Sequence, residues 1–403
     1  MTIIFENDNR QLQRFASHAQ ESRGRLFPEK ESESRTAFQR DRDRIIHSTA
    51  FRRLKHKTQV FVYHVGDHYR TRLTHSLEVS QIARTLCRSL GLDDDLGEAL
   101  ALAHDLGHTA FGHAGEAALD RKLSDIGAGG FDHNAQTIRI VTKLETRYVE
   151  FDGLNLSWET LEGLAKHNGP LILETEPHNS ALPWGLSEYN ELHDLELSTY
   201  PSAEAQVAAL SDDMAYNSHD IDDGLRADLF PLEALEELAL LRPIISETKD
   251  VAQGFEPSRL IHEMTRRLIG TLVNDLVAES KTRLIAFNPA TVDDIRKAGR
   301  ALIGFSAEVE AGLQDLNQFL RTHMYAHYKV ERMTRYARQV IFDLFDLYVE
   351  EPNLLPPAWS TKMIDRDAIG RARVIGDYIA GMTDRYALKE HGRHFGRQDF
   401  GQY

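Results

Sequence analysis

The sequence lacks the features that mark several classes of protein. Its 403 residues include one cysteine, Cys87, so no intramolecular disulfide can form, which favours a reducing compartment. No run approaches the roughly 20 consecutive apolar residues that a membrane-spanning helix needs. The N-terminal MTIIFENDNRQLQRF also lacks the charged-then-apolar pattern of a secretory signal. These absences predict a soluble, cytoplasmic protein without a membrane partner.

Positive charge is also scarce over the whole chain. The net charge of −15 argues against a general nucleic-acid binder, because phosphate contacts need clustered lysine and arginine. Between Arg35 and Lys57, however, basic residues greatly outnumber the two acids Asp41 and Asp43. A basic segment on an acidic protein favours a small anionic substrate, and a solvated basic helix face is the alternative.

The pattern of apolar residues is helical almost throughout, so the predicted fold class is all-α. Val79, Ile82, Leu86 and Leu90 have helical spacing, and Gly91 follows where a helix cap is expected. The predicted helices cover 36–57, 74–90, 93–107, 116–125, 134–148, 202 onward, 257–286, 291–304, 307–325, 330–350 and 365–388, with a loop at 169–201. At most one short β-hairpin is expected, near 147–157, because Asp152-Gly153 suits a two-residue turn.

The stretch ALAHDLGHTAFGHAGE, residues 101–116, concentrates chemically active side chains. An adjacent histidine and aspartate in a buried apolar helix need a partner, and a metal ion is the natural one. Two further candidates stand at helical positions elsewhere, so the predicted metal ligands are His75, His104, Asp105 and Asp212. Imidazole and carboxylate together suit Mn²⁺, Mg²⁺, Ni²⁺, Co²⁺, Fe²⁺ or Zn²⁺. A lone His-Asp pair is a weak signal, whereas the joint pattern is much stronger.

The order H-x(28)-HD-x(106)-D resembles that of the HD-domain metal phosphohydrolases. The surrounding runs are similar to those of bacterial dGTP triphosphohydrolases, in particular the shorter dGTPase-like branch: RLTHSLEVSQIAR, HDLGHTAFGHAGE, FDHNAQTIR, DDMAYNSHDIDD and DYIAGMTDRYAL. The resemblance extends over residues 35–388. It implies one dNTPase-type domain over 1–403, with an HD metal-binding core at 70–225 and a C-terminal helical extension at 226–403.

The resemblance also implies roles for individual residues. It places His113, Glu116 and His133 in catalysis, with Glu116 orienting or deprotonating a reacting group. It implies substrate contacts for Gln59, Arg52, Arg72, His108 and Tyr325, with Gln59 at the sugar 3′-hydroxyl. Tyr216 and Asp220 follow Asp212 at i+4 and i+8, so the three share one helix face. The family spacing starts at Asp212, and Asp213 is the alternative ligand. Exposed loop histidines and ordinary helix packing are the alternatives for the other positions.

The predicted function is therefore metal-dependent hydrolysis of dNTPs, dGTP and others, to deoxynucleoside and tripolyphosphate. Two alternatives stay open: an HD phosphohydrolase or phosphodiesterase acting on another nucleotide, and a non-catalytic dNTP or single-stranded nucleic-acid binder. The resemblance further implies a homo-oligomer, tetramer or hexamer, and dNTP effectors at separate sites. Strict guanine specificity is not expected, because the shorter branch departs from the dGTP-specific enzymes around 169–200.

Overall fold

A computed structural model describes residues 11–59, 70–172, 182–251 and 256–396. Its first α-helices are Ala37–His47 (α1), Thr49–Arg53 (α2), Arg72–Leu90 (α3), Asp94–Ala103 (α4), Gly112–Asp125 (α5), His133–Arg139 (α6), Trp158–Ala165 (α7), Trp184–Asn190 (α8) and Ala203–Arg226 (α9). The later ones are Leu232–Leu235 (α10), Leu241–Val251 (α11), Pro257–Phe287 (α12), Val292–Arg296 (α13), Ala307–Leu320 (α14), Tyr328–Glu350 (α15), Pro357–Ser360 (α16), Ala368–Ala380 (α17) and Asp384–Phe395 (α18). The all-α prediction is confirmed. In the described part of the chain, no helix is both long and apolar enough to cross a bilayer.

Local capping residues set the ends of the helices that matter for the site. Gly91 ends α3 in the left-handed conformation, with φ of 69°. The Asp93 side chain then accepts hydrogen bonds from the amides of Asp95 and Leu96 and starts α4. Ser202 caps α9 in the same way through the amide of Ala205. The ends expected at Gly91, Asp93 and Ser202 are therefore observed.

The helices α3, α4 and α9 pack against one another at the centre of the molecule. Val79 and Leu86 on α3, Ala101 on α4, and Val207 and Met214 on α9 are all fully buried in one cluster. Burying a large aliphatic side chain contributes about 2 kcal/mol, so such clusters hold the three helices together. This packing brings together α3, which carries His75, α9, which carries Asp212, and the end of α4, which His104 and Asp105 follow.

A second part of the core lies between α5 and the C-terminal helices. Leu119 and Leu123 of α5 pack with Ile341 and Leu344 of α15 and with Ile375 of α17. The C-terminal third of the chain therefore covers the helix that carries His113 and Glu116.

The predicted hairpin at 147–157 does not form. Gly153 donates its amide hydrogen to the carbonyl of Glu145, and Leu154 donates to the carbonyl of Val141. The preceding chain ends in a π-helical turn, Ile140–Leu144, which leaves carbonyls free to accept these bonds. The segment therefore closes on the end of a helix instead of pairing with itself.

Several predicted helix boundaries were also wrong. The segment 36–57 is divided at Ser48, whose side chain caps α2, and 365–388 is divided between α17 and α18. The helix predicted at 291–304 ends at Arg296, since Gly299 has a φ of 68° that a helix cannot continue through. The helices α7, α8, α10, α11 and α16 lie where none was predicted, and α5 starts at Gly112 rather than Glu116.

Candidate metal centre and active site

Three of the four predicted metal ligands, His75, His104 and Asp212, place their ligand atoms within 4.8 Å of one another, and Asp105 lies beside them. His75 lies in the first turn of α3, Asp212 lies on α9, and His104 and Asp105 lie on the 3₁₀ turn that follows α4. His75 Nε2 is 2.8 Å and His104 Nε2 is 3.5 Å from Asp212 Oδ1, and Asp105 Oδ2 is 3.9 Å from His75 Nε2. Two ligands at right angles on an ion, each about 2.1 Å away, lie about 3 Å apart. The spacing is therefore suited to a single ion.

In His75 and His104, hydrogen bonds at Nδ1 orient the ring so that Nε2 faces the other predicted ligands. His104 Nδ1 donates to the carbonyl of Ala101 at 2.7 Å, which leaves Nε2 as the nitrogen that can give up a proton to bind a cation. His75 Nδ1 lies 3.2 Å from His219 Nδ1, and His219 Nε2 contacts Glu78. If His219 donates to Glu78, it accepts from His75 and leaves His75 Nε2 free to bind a cation.

Two buried atoms of the cluster have no hydrogen-bond partner among the residues described. They are His104 Nε2 and Asp105 Oδ2. The other oxygen of Asp105 is satisfied, since Oδ1 accepts from Arg72 Nη1 at 2.7 Å and lies 3.2 Å from His108 Nε2. A buried acceptor without a donor is unfavourable, so a cation at this point would satisfy both atoms.

The electrostatic field at the cluster also favours a cation. Burial opposes ionisation of Asp105, but Arg72 and the nearby histidines outweigh it and hold its pKa well below the usual range. Burial likewise disfavours a charged His104, yet Asp105 and Asp212 raise its pKa to about 9. The same carboxylates that would hold a proton on His104 would attract a divalent ion in its place. The residues present therefore fit a divalent metal.

A fifth side chain, which was not predicted from the sequence, also reaches the metal cluster. His167 follows α7, its Nε2 lies 3.5 Å from Asp212 Oδ2, and its ring stacks on His104 with centroids 5.4 Å apart. The run LAKHNGP carries a histidine just past a helix end and before Gly-Pro, which is the only local signal for it. Its contact with Asp212 depends on the packing of α7 against α9.

The cluster opens into a cavity of about 670 Å³. This size is in the range of small-molecule sites. Of the residues predicted for catalysis or substrate, Gln59, Arg72, His108, His113, His133 and Tyr216 line it, along with His104, Asp105 and Asp212. Tyr200, Gln206 and Ile303 also line the cavity and were not predicted.

A second cluster, formed by His108, His113, Glu116 and His133, lies beside the metal cluster. The Glu116 carboxylate lies 3.1 Å from His113 Nδ1 and 2.7 Å from His133 Nδ1, and it also accepts the backbone amide of His133. Burial opposes its ionisation, but these histidines hold the pKa of Glu116 below its usual range. The pKa of His133 is raised, since Glu116 outweighs the effect of burial. Glu116 is therefore placed to orient two imidazoles rather than to accept a proton.

Tyr216, Asp220 and Tyr325 form one hydrogen-bonded group. The Tyr325 hydroxyl donates to Asp220 Oδ2 and lies 2.7 Å from the Tyr216 hydroxyl. Tyr216 reaches the cavity, whereas Asp220 is fully buried behind it. The face shared by Asp212, Tyr216 and Asp220 therefore runs from the cavity wall into the core.

We expect Asp220→Asn to change how stability depends on pH. Burial raises the pKa of Asp220 to about 8, and Asp223 adds to the effect. Since the unfolded value is about 4, the folded state binds the extra proton between these values, and stability falls as pH rises through this window. The melting temperature of the parent protein should drop more between about pH 5.5 and about pH 8.5 than that of Asp220→Asn. Asp228→Asn, at an exposed carboxyl, is the control. The same change of melting temperature with pH in Asp220→Asn and Asp228→Asn would contradict the expectation.

Other predicted contacts are not brought to the cavity. Arg52 is exposed on α2, where its guanidinium donates to the carbonyl of His47 and to Thr49. In the basic segment, Arg42 pairs with Asp95 at 2.7 Å, and Arg44 pairs with Glu29 at 2.8 Å. None of residues 35–57 is among those lining the cavity in the described structure. Most of the arginines in this segment are used in ion pairs, and the role of the segment in binding an anionic substrate stays a prediction.

Comparison with known proteins agrees with this arrangement. Residues 72–217 match the HD domain, and residues 303–393 match a phosphohydrolase-associated domain. A deoxyguanosinetriphosphate triphosphohydrolase-like protein of Parvibaculum lavamentivorans is 57% identical over 386 residues, which is 96% of each chain. Proteins with the same description from Brucella suis, 53% identical over 95% of each chain, and Bradyrhizobium diazoefficiens, 53% identical over 94% of this chain, are also similar.

These matches confirm the resemblance predicted from the motifs. The division into a core at 70–225 and an extension at 226–403 stays a prediction. With HD-domain geometry at its centre and high identity along nearly its whole length, the chain belongs to the deoxyguanosinetriphosphate triphosphohydrolase-like family of HD-domain proteins.

Proposed function

We propose that this protein is a metal-dependent enzyme that hydrolyses dNTPs to deoxynucleoside and tripolyphosphate. One observation carries the proposal. A cluster fitted to a divalent cation and a cluster of oriented histidines line the same cavity, in a chain whose relatives are described as deoxyguanosinetriphosphate triphosphohydrolase-like. Phosphate-ester hydrolysis needs charge neutralisation and proton transfer within reach of one phosphorus atom.

His75, His104, Asp105 and Asp212 would hold the metal ion. When bound, the ion supplies positive charge that polarises the phosphoryl oxygens. Arg72 adds a fixed positive charge at the same wall of the cavity, because its guanidinium is anchored on Asp105. Arginine is suited to phosphate oxygens through its several N–H donors.

The second cluster supplies the proton transfer. Water attacks the α-phosphorus, a bond forms between the water oxygen and phosphorus, and the bond from phosphorus to O5′ breaks. The water gives up a proton to solvent, and O5′ must gain one to leave as the nucleoside hydroxyl. His113 is 62% exposed and its Nδ1–H is held by Glu116, so in its protonated form the Nε2–H can deliver that proton to O5′. His108 and His133, stacked with centroids 4.1 Å apart, form the adjoining wall for the phosphate chain.

The sugar end of the substrate would meet Gln59 and Tyr216. Gln59 Oε1 is buried and has no hydrogen-bond partner in the described part of the chain, so it can accept a hydrogen bond from a sugar hydroxyl. The Tyr325 hydroxyl, itself held by Asp220, contacts the Tyr216 hydroxyl and would restrain this aromatic wall. A preference for deoxyribose would require this wall to exclude a 2′-hydroxyl.

The expected result of a product-resolved assay is one deoxynucleoside and one tripolyphosphate per dNTP consumed. The purified protein is incubated with each of the four dNTPs in Mn²⁺, Mg²⁺ or Co²⁺, and both products are quantified by chromatography. Reactions with chelator and with the matching ribonucleotides are the controls. Release of dNMP and pyrophosphate would contradict attack at the α-phosphorus with O5′ as leaving group. Turnover of cyclic or monophosphate nucleotides without any of dNTPs would favour the other HD phosphohydrolase function.

Assembly and regulation stay predictions that follow from the family. A homotetramer or homohexamer, dNTP effectors, single-stranded nucleic acid and a cytoplasmic location are expectations of this kind. The size of the particle in solution, measured by light scattering with and without dNTPs, would test the first two.

A further inference from the structure

A motif near the C-terminus, GMTDRYAL, contacts the turn that leads to His113. Its Asp384 is the first residue of α18 and has no exposed surface. It lies about 270 residues along the chain from the histidine cluster, yet it contacts the turn that leads into α5. The phosphohydrolase chemistry described above does not use this carboxylate.

Both oxygens of Asp384 bind the backbone of the active-site walls. Oδ1 accepts the amide hydrogen of Phe111 at 2.9 Å. Oδ2 accepts the amide hydrogen of Thr58 at 2.9 Å and also the Thr58 hydroxyl. One buried carboxylate thus joins the residue before Gln59 to the turn before His113.

Lys57 makes a second link at the same place. Its ammonium group is buried and donates to the carbonyls of Ala380, at 2.9 Å, and of His108. A buried ammonium is costly unless it is hydrogen bonded, and here its two acceptors join the end of α17 to the His108 segment of the active site. Lys57 and Asp384 together form what we call the buried clamp.

The turn held by the clamp has a conformation that needs support. Phe111 has a φ of 63°, in the left-handed region that is unfavourable for a bulky side chain. At the next residue, a Cβ on Gly112 would lie 3.0 Å from Arg72 Nη2 and 3.5 Å from the carbonyl of Gln59. The turn is therefore packed closely against two substrate-facing residues. Such a conformation persists only where the surroundings enforce it.

We propose that Asp384, assisted by Lys57, is a positioning residue that sets the place of His113 relative to Gln59 and Arg72. Asp384 touches no residue of the metal cluster in the described structure, so it acts on geometry and not on metal binding. The effect on turnover rests on the proposed function, because His113 and Gln59 were given their roles there. The effect on the order of the turn does not depend on it.

The experiment compares Asp384→Asn and Asp384→Ala with the control Asp343→Asn. Asp343 lies on α15 and pairs at 2.8 Å with His391 of α18, the helix that Asp384 begins; its hydrogen bonds are to His391 and Gln339 and not to residues 108–118 of the described structure. Each variant is loaded with Mn²⁺, its metal content is measured, and kcat and KM for a dNTP are determined per folded, metal-loaded chain. Hydrogen exchange is followed for peptides covering residues 108–118.

For Asp384→Ala we expect kcat to fall about 100-fold, since a displacement of about 1 Å at a reacting group has an effect of that order. Asp384→Asn keeps one acceptor oxygen and should lose about 10-fold. Both should retain metal at the parent stoichiometry and exchange faster at 108–118, whereas Asp343→Asn should match the parent in all three measurements.

Folded, metal-loaded Asp384 variants with kcat within about twofold of the control would overturn the proposal. If Asp384→Ala does not fold, Asp384→Asn decides the result. If the parent protein itself does not hydrolyse dNTPs, the proposed function fails, and hydrogen exchange still tests the clamp. In that case, equal hydrogen exchange at 108–118 in Asp384→Asn and Asp343→Asn would overturn the positioning role of Asp384. Faster exchange in Asp384→Asn would support that role.

Discussion

His104→Ala is expected to lose its divalent metal and, with it, about 1,000-fold or more in kcat for a dNTP. The Nε2 of His104 is buried without a hydrogen-bond partner among the described residues, and it faces Asp212 Oδ1 at 3.5 Å. Removing this ligand leaves two carboxylates and one imidazole, which hold an ion less tightly. A bound ion supplies several kcal/mol of charge stabilisation to a phosphoryl transition state, and about 4 kcal/mol corresponds to 1,000-fold in rate.

The measurement is metal content by elemental analysis, paired with single-turnover kinetics at saturating Mn²⁺. His391→Ala is the matched control, because it also removes a buried histidine that contacts an aspartate, Asp343. The control should keep its metal and its rate. A His104→Ala protein that binds Mn²⁺ at the parent stoichiometry would show that the ion is held elsewhere.

Glu116→Gln is expected to lower kcat by about 100- to 1,000-fold while leaving the metal bound, an effect typical of removing one group that orients or stabilises the reacting atoms. The carboxylate contacts Nδ1 of both His113 and His133. A glutamine offers one acceptor oxygen, so one of the two imidazoles must lose its partner. Glu116 also raises the pKa of His133, so removing the charge should shift that pKa downward.

The pH dependence of kcat distinguishes the loss of the Glu116 charge from general destabilisation. A shift in the pKa of His133 would change this pH dependence, whereas destabilisation of the fold would not. In the parent protein Glu116 stays ionised, because its pKa lies below the usual range, and it adds no acidic limb of its own. Asp125→Asn, an exposed carboxyl at the end of the same helix, is the control and should leave both rate and profile unchanged. Loss of the metal from Glu116→Gln would contradict the assignment and show Glu116 to be a ligand.

The parts of the site that were predictable from sequence are those in which local physics decides the outcome. His75, His104, Asp105 and Asp212 stand at helical positions, and the caps at Gly91, Asp93 and Ser202 set the bounds of those helices. Capping and apolar spacing act over a few residues, so they can be read from the chain alone. The structure brings the four together, and their roles as ligands stay a prediction until metal content is measured.

Other parts depended on contacts between distant segments. Arg52 was expected in the pocket, but α2 directs its guanidinium to the carbonyl of His47. His167 reaches Asp212 only because α7 packs beside α9. The hairpin predicted at 147–157 does not form, because this segment donates to free carbonyls at the end of a π-helical turn. No local sequence pattern predicts that turn.

By itself, then, the sequence determined the fold class, the helices that carry the metal cluster and the family of the protein. The tertiary structure alone decided which nitrogen of each histidine faces the centre, which arginines are used in ion pairs, and how Asp384 supports the turn before His113. The physical reason is the range of the interactions. Helix formation and capping are local, whereas the orientation of a buried side chain is set by partners up to 326 residues away, as between Thr58 and Asp384.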